Sequence, residues 1–382
     1  MTTTLHLPAS GAAVRGRWLH PAAWWLWAIG LATAASRTTN PVLLLLIVTV
    51  AGVVVAARRP EAPWSRSFAV FLKLGLVVVA IRVAFQVLLG APVGNTVLLT
   101  LPSVSLPDWL AGLRLGGDFT AESLLFALFD GLRLAAVLAC LGAASSLASP
   151  YRLLKALPAA LYEVGVAVVV ALAFAPALVT DVDRVRTARR LRGRPTKGVR
   201  GLAGAAMPVF SGALDRSIAL AAAMDSRGYG RTGDSNPRER RITAGLVLLG
   251  LIGTCLGLYA LLDSSAVSRA GLPLLVLGLV AAAVGLVRGG RRNRRSRYRP
   301  DPWAWPEWIT AGSGALAAAA TFAQEALDPV ALNPAATPLT WPQVPYLALL
   351  GVLAALAPAW CTPPPPAIVD ERHTVERVGV HA

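Results

Sequence analysis

Apolar segments recur along almost the whole chain and are separated by short polar or basic stretches. Nine of them carry few charges and approach the roughly 20 residues that cross a bilayer as a helix. They are residues 22–36, 41–57, 67–89, 122–147, 161–180, 242–262, 271–287, 303–325 and 344–361. The pattern predicts an all-α polytopic membrane protein.

Composition supports this class and argues against others. Hydrophobic residues make up 55% of the 382 residues and charged residues 15%, with a mean hydropathy of +0.59. A soluble domain is seldom so apolar. The net charge of +16 raises the question of nucleic acid, but membrane proteins concentrate Lys and Arg in cytoplasmic loops. We therefore expect a lipid bilayer and no nucleic acid as partner.

Cysteines and histidines give no sign of a metal or cofactor site. Cys140, Cys255 and Cys361 each lie in or beside an apolar stretch, without CxxC pairing, as small core residues do. The four histidines lie near the termini, and no two are spaced i, i+4. We expect neither a metal ion nor a cofactor bound by this chain.

The basic residues indicate which segments cross. Residues 184–200 carry eight basic residues and no acidic ones, and "RRNRRSRYR" follows at 291–299. With a cytoplasmic amino terminus, four crossings return the chain inside at Leu147. A crossing by 161–180 would then place the larger basic block outside. Glu163, Pro176 and the amphipathic "PYRLLKALP" at 150–158 favour a helix at the cytoplasmic surface instead.

The resulting topology has eight crossings and both termini in the cytoplasm. Of the 36 Lys and Arg residues, three lie outside and three within spans, which leaves 30 on the cytoplasmic side. The first segment, opened by Arg15 and Arg17 and closed by "ATAAS", also fits a cleaved signal peptide. The next span follows at once after "TTNP", which favours a retained helical hairpin.

This topology divides the chain into six parts. They are an N-terminal membrane block of four spans (1–147), a cytoplasmic or interfacial coupling-helix region (148–241), a membrane hairpin (242–288), a basic cytoplasmic loop (289–302), an additional C-terminal membrane hairpin (303–361) and a Pro-rich cytoplasmic tail (362–382). Residues 198–224 have apolar or small side chains at helical spacing: Leu202, Ala206, Val209, Ala213, Ser217, Ala221 and Met224. Such a face predicts close helix packing rather than a linker.

The coupling-helix region contains two helix ends of the same kind, at "ARRLRG" (188–193) and "AMDSRG" (223–228). Gly193 and Gly228 suit the left-handed position after a helix, with Arg192 and Arg227 in the last turn. A single arginine there would merely complement the helix dipole, worth about 0.3–1 kcal/mol. Two such ends in one region indicate docking, because a guanidinium at a helix tip can bind a carboxylate through two hydrogen bonds.

At these residues the chain resembles the transmembrane T component of energy-coupling factor (ECF) importers of vitamins and metal ions. That family has Ala-Arg-Gly-like triplets at the ends of two coupling helices, and Leu191-Arg192-Gly193 and Ser226-Arg227-Gly228 take those places here. Similar surroundings include "NP" at 40–41, "LRL" at 132–134, "FAPALVTDVDRVRTARRLRG" before the first triplet and "PVFSGALDRSIALAAAMDSRGYG" around the second.

The resemblance implies a non-catalytic scaffold. Arg192, Gly193, Arg227 and Gly228 would dock two ATP-binding-cassette ATPase subunits, and the long helices would hold a small membrane S component. The S component would bind the vitamin or transition-metal ion. ATP would be bound by the partner subunits, and this chain has no GxxxxGK[ST] phosphate loop.

Two other classes stay open at this stage. A self-contained secondary transporter would use the ionisable residues within spans, which are Lys73, Arg82, Asp130 and Arg133. Asp130 and Arg133 are three apart on one helix face and could neutralise each other, and no inverted repeat is evident. A membrane enzyme acting on lipid phosphates would need acidic clusters for magnesium. "DVD" at 181–183 is the nearest candidate and fits charge balance or capping better.

Overall fold

The computed structural model describes residues 17–60, 62–89, 94, 96–105, 114–156, 161–193, 198–229, 237–262, 268–292, 303–335 and 341–365. The chain forms two compact units, Met1–Leu153 with Pro300–Ala382, and Leu154–Arg299. Helices dominate both, which confirms the all-α polytopic fold. Most of the predicted basic loop (289–302) and Pro-rich tail (362–382) lies outside the described residues.

The secondary-structure elements follow one another in a simple order. They are α1 (Pro21–Ser36), α2 (Pro41–Arg58), a 3₁₀ turn (Pro63–Arg66), α3 (Ser67–Leu89), β1 (Val97–Ser105), β2 (Arg114–Thr120), α4 (Ala121–Leu147), α5 (Pro150–Lys155), α6 (Tyr162–Leu191), α7 (Gly198–Ser226), α8 (Pro237–Leu262), α9 (Ser268–Arg292), α10 (Trp305–Leu327), α11 (Pro329–Leu332), α12 (Tyr346–Ala354) and α13 (Pro358–Cys361).

The first two helices begin with a capping side chain followed by proline. Asn40 Oδ1 accepts a hydrogen bond from the Val42 N–H at 3.1 Å, and Pro41 occupies the first helical position. His20 Nδ1 accepts from the Ala22 N–H at 3.2 Å before Pro21. A proline here loses no helical hydrogen bond and has a suitable φ. The "NP" start of the second span is thus confirmed.

The C-terminal helices of the first unit pack directly on α1. Gly30 and Gly314 meet backbone to backbone, so that a Cβ on either would overlap the other helix. The fully buried Trp27 donates its Nε1–H to the Ala355 carbonyl at 3.0 Å. Asn40 Nδ2 donates to Ala331 O at 2.9 Å and Gln343 O at 2.7 Å. The segment from 303 onward therefore completes the core of the N-terminal bundle.

An ion pair with a buried carboxylate ties the start of α10 to the chain before α1. Glu307 has a side chain only 1% exposed, and its Oε1 lies 2.9 Å from Arg17 Nη2. The same carboxylate accepts from the His20 N–H at 3.3 Å and the Ala304 N–H at 3.1 Å. A buried carboxylate is tolerated only with such partners.

Two predicted boundaries need correction. The predicted span 344–361 is two short helices, α12 and α13, separated by a turn at Ala355–Ala357, because Pro358 lacks an N–H and its ring clashes with a continuing helix. The predicted surface segment 161–180 is the first part of α6, which continues through Pro176 to Leu191. Strands β1 and β2 pair in antiparallel fashion, which the apolar pattern did not predict.

Within the second unit, α8 and α9 form a hairpin with a glycine-lined interface. A Cβ on Gly253 would meet the backbone of Gly278, and a Cβ on Gly257 would overlap Leu275. Glycines let two helix backbones approach closely, which is a common way for helices to associate in lipid. Helices α8 and α9 therefore pack against each other, and the membrane hairpin proposed for 242–288 stays a prediction.

Six of the described helices are long and apolar enough to cross a membrane. They are Pro41–Arg58, Trp64–Leu88, Ala121–Leu147, Val164–Leu191, Arg241–Leu261 and Gly271–Gly290. Length and hydropathy do not fix orientation, so the eight-crossing topology, the cytoplasmic termini and the surface position of 161–180 stay predictions. Helix α1 has 16 residues, fewer than the usual minimum of about 17.

Candidate coupling-helix site

Helix α6 ends in the way that its arginine-rich sequence predicts. Its last helical residue is Leu191, and the Arg192 N–H bonds to the Ala188 and Arg189 carbonyls at 3.3 and 3.1 Å. The Gly193 N–H bonds to Arg190 O at 3.1 Å, and Gly193 has a φ of +68°. Only glycine takes this left-handed conformation readily, so the predicted cap at Gly193 is confirmed.

Helix α7 ends in a Schellman motif. The Gly228 N–H bonds to Asp225 O at 2.8 Å, and the Tyr229 N–H reaches back to Met224 O at 3.1 Å. Gly228 has a φ of +76°, which confirms the second cap. One detail differs from the prediction: Arg192 and Arg227 each follow the last helical residue instead of lying in the last turn.

Both arginine tips are open. A Cβ built on Gly193 or Gly228 would meet nothing within 4 Å, so packing against the described residues does not require glycine there. Arg192 and Arg227 are exposed, and within the described residues neither side chain has a hydrogen bond or an ion pair. Each tip thus presents an unused set of guanidinium donors beside free space, which suits bidentate binding of a carboxylate.

Two polar links join α6 to α7. Arg189 Nη1 donates to the Gly204 carbonyl at 2.6 Å, and Asp181 Oδ2 lies 2.9 Å from Arg216 Nη1. The residue numbers rise along α6 as they fall along α7, so the two helices run antiparallel. The "DVD" carboxylate at Asp181 also lies 3.5 Å from Arg184, which confirms its interpretation as charge balance.

The antiparallel arrangement separates the two tips. Gly204 lies beside Arg189, less than one turn before the α6 tip, whereas Arg227 lies 23 residues farther along α7. At about 1.5 Å per residue this is roughly 35 Å of helix. Two guanidinium groups this far apart along the helix cannot enter one groove of an ordinary partner.

An exposed apolar stripe runs along α7 between these ends. It consists of Met207, Phe210, Leu214 and Ile218, which are 75%, 66%, 50% and 61% exposed. Sequence reasoning concentrated on the small-residue face and missed this stripe. Its signal was present in the spacing of three, four and four residues, which places the side chains on one helix face. A lipid or protein partner has to cover such a stripe.

The ionisable residues within the spans have mainly structural partners. Arg82 Nη2 of α3 lies 2.8 Å from Asp130 Oδ2 of α4. Arg133 donates instead to the Ser36 carbonyl at the end of α1, where a cation complements the helix dipole. Asp130 is therefore paired with Arg82 and not with Arg133, the alternative that the sequence left open. Lys73 is exposed on α3, with no ion pair among the described residues.

No group of three or more His, Cys, Asp or Glu side chains that could hold a metal ion occurs in the part of the chain that the structure describes.

Comparison with known proteins bears on the same region. A family model described as "CbiQ: Cobalt transport protein" matches residues 32–238, more than half of the chain. The chain belongs to the CbiQ cobalt transport family. This is the family of ECF transporter T components. No curated protein matches the chain.

The CbiQ match covers both arginine tips and ends at the start of α8. The α8–α9 hairpin and helices α10 to α13 lie beyond it. The chain is therefore a multi-pass membrane protein of a cobalt transport family, with further helices outside the matched region.

Proposed function

We propose that this protein is the T component of an ECF importer. It couples two cytoplasmic ATP-binding-cassette ATPase subunits to a small membrane S component that takes up a transition-metal ion or a vitamin. The observation that carries the proposal is the pair of open Arg-Gly tips, Arg192-Gly193 and Arg227-Gly228, roughly 35 Å apart along α7. The membership of the CbiQ family supports it.

The geometry supports a mechanical role for α6 and α7. ATP-driven closure of the ATPases would move two separated tips relative to each other. The Asp181–Arg216 and Arg189–Gly204 links would pass that movement between the two helices. The exposed stripe on α7 then offers an apolar surface through which the S component is moved. No covalent step in this chain is needed, and the partners bind and hydrolyse ATP.

Copurification tests this function and separates it from the alternatives. We expect the tagged chain, extracted with the ATPase subunits of its own transporter, to bring both subunits with it, whereas a lone secondary transporter or a lipid-phosphate enzyme would bring neither. Arg192→Ala or Arg227→Ala should each weaken the complex by roughly 2 to 5 kcal/mol, because the partner's carboxylate loses its cation. Lysine should rescue poorly, since it keeps the charge but loses the planar fork.

Basic residues beyond the α7 end provide the controls. Arg238 is exposed at the start of α8, and Arg231 lies outside the described residues. Alanine at either should leave ATPase binding within about twofold, because we expect basic residues beyond the helix end to serve orientation and lipid headgroup contact. Equal losses for Arg238→Ala and Arg227→Ala would show a general charge effect and refute the docking role of Arg227.

A further inference from the structure

The two tips differ strongly in charge. The ten residues that end at the α6 tip, 184–193, contain five arginines and no acidic residue. The ten residues that end at the α7 tip, 219–228, contain only two charged residues, Asp225 and Arg227, and so have no net charge. If both tips docked into grooves of the same chemistry, there would be no reason for their charges to differ in this way.

The structure shows which of the α6 arginines are available to a partner. Arg189 donates a hydrogen bond to the Gly204 carbonyl, and Arg184 forms an ion pair with Asp181 at 3.5 Å. Arg186, Arg190 and Arg192 are exposed, with no ion pair or side-chain hydrogen bond to any other described residue. Among the described residues, these three cations have no partner at the end of α6.

The α7 tip offers a different surface. Arg227 has the exposed carboxylate of Asp225 two residues before it, and Tyr229, 42% exposed, directly follows the glycine. Tyrosine and arginine are the residue types most often found to dominate binding energy at interfaces. We expect binding here to come mainly from short-range contacts, because residues 219–228 carry no net charge.

Ionic strength separates these two modes of binding. Attraction between exposed charges is screened over about 10 Å at 0.1 M salt and within a few ångströms at 1 M. Buried aromatic and bidentate contacts are screened much less. A charged rim mainly affects the association rate and its salt dependence.

We propose that the α6 tip docks into a groove with an acidic rim, attracted by Arg186 and Arg190 around Arg192, and that the α7 tip docks into a weakly charged groove through Arg227 and Tyr229. The two docking sites are then not interchangeable. This inference rests on the proposed function, since it assumes that the ATPase subunits are the partners.

The test measures binding of the ATPase subunits to the full chain in nanodiscs of zwitterionic lipid at 0.1 and 0.5 M NaCl. Arg186→Gln with Arg190→Gln should weaken binding roughly tenfold at 0.1 M. The loss should shrink to less than about threefold at 0.5 M. Tyr229→Ala should weaken binding roughly tenfold at both salt concentrations, because a packed aromatic contact is not screened.

The matched control removes the same charge elsewhere. Arg59→Gln with Arg66→Gln neutralises two exposed arginines of the first unit and should leave binding within about twofold at both salt concentrations. A loss equal to that of the α6 double variant would overturn the inference in favour of a net-charge effect.

Other results of the same measurements would also overturn this inference. Unchanged affinity in the α6 double variant, or a loss as large at 0.5 M as at 0.1 M, overturns the acidic rim. If the double variant instead binds the ATPase subunits normally in zwitterionic nanodiscs and more weakly only in anionic nanodiscs, the arginines act through lipid headgroups and the inference is wrong. Arg192→Ala and Arg227→Ala, measured in parallel, separate failure of this inference from failure of the proposed function. If neither substitution weakens ATPase binding, the proposed function itself is refuted.

Discussion

Gly228→Ala gives the sharpest test of how the α7 tip is built. Gly228 has a φ of +76°, and a Cβ there would meet nothing within 4 Å. The cost is therefore backbone strain alone, about 1 to 2 kcal/mol for an L-residue in the left-handed region. Two hydrogen bonds depend on this conformation, Gly228 N–H to Asp225 O and Tyr229 N–H to Met224 O.

Gly212 provides a matched control in the same helix. It lies within α7, also has nothing within 4 Å of a built Cβ, and has helical backbone. Alanine there should stabilise the helix by about 0.5 to 1 kcal/mol. The same Gly→Ala substitution should therefore change stability in opposite directions at two equally open positions of one helix.

Hydrogen exchange at the end of α7 measures the effect locally. We expect the amides of residues 228 and 229 to exchange at least about fivefold faster in Gly228→Ala, the equivalent of about 1 kcal/mol. Gly212→Ala should not accelerate them. Gly228→Asn should lie between, because asparagine tolerates the left-handed region. Unchanged exchange in Gly228→Ala would refute the cap geometry.

Two further predictions concern topology and the C-terminal helices. In a chain without its native cysteines, Thr196→Cys and Ser235→Cys, at positions outside the described residues, should resist an impermeant thiol reagent in intact cells; labelling of both from outside would refute the eight-crossing topology. Glu307→Gln should destabilise the protein by about 1.5 to 3 kcal/mol in a thermal unfolding assay, because the neutral amide loses the charge-assisted hydrogen bond from Arg17 Nη2. Glu325→Gln, at a side chain that is one-third exposed, should cost less than about 1 kcal/mol in the same assay.

Local signals in the sequence predicted much of the fold. Asn40 before Pro41 predicted where α2 begins, and an arginine followed by Gly193 or Gly228 predicted the ends of α6 and α7. These features act within one or two turns of helix, so they can be recognised without knowledge of the tertiary structure. Pro358 also carried the signal for the break between α12 and α13, which the apolar run of 344–361 obscured.

Contacts between distant residues could not be predicted in this way. Trp27 and Ala355 are 328 residues apart, and their hydrogen bond depends on the C-terminal helices folding back on α1. Arg82 was the partner of Asp130, although Arg133 was nearer in sequence. The continuation of α6 through Pro176 was missed because proline usually ends a helix in water, whereas helices in membrane proteins tolerate it more often.

The central claim is that Arg192 and Arg227 together transmit the work of the ATPases. The most direct measurement is uptake of the transported ion, with Co²⁺ assayed first, by cells carrying the complete transporter with Arg192→Ala and Arg227→Ala combined. Membrane levels of the variant should equal those of the wild type, because both side chains are exposed and free of ion pairs among the described residues. We predict that uptake and ATPase copurification are both lost. Full uptake with full ATPase binding would contradict the account and leave the two Arg-Gly tips as ordinary helix ends.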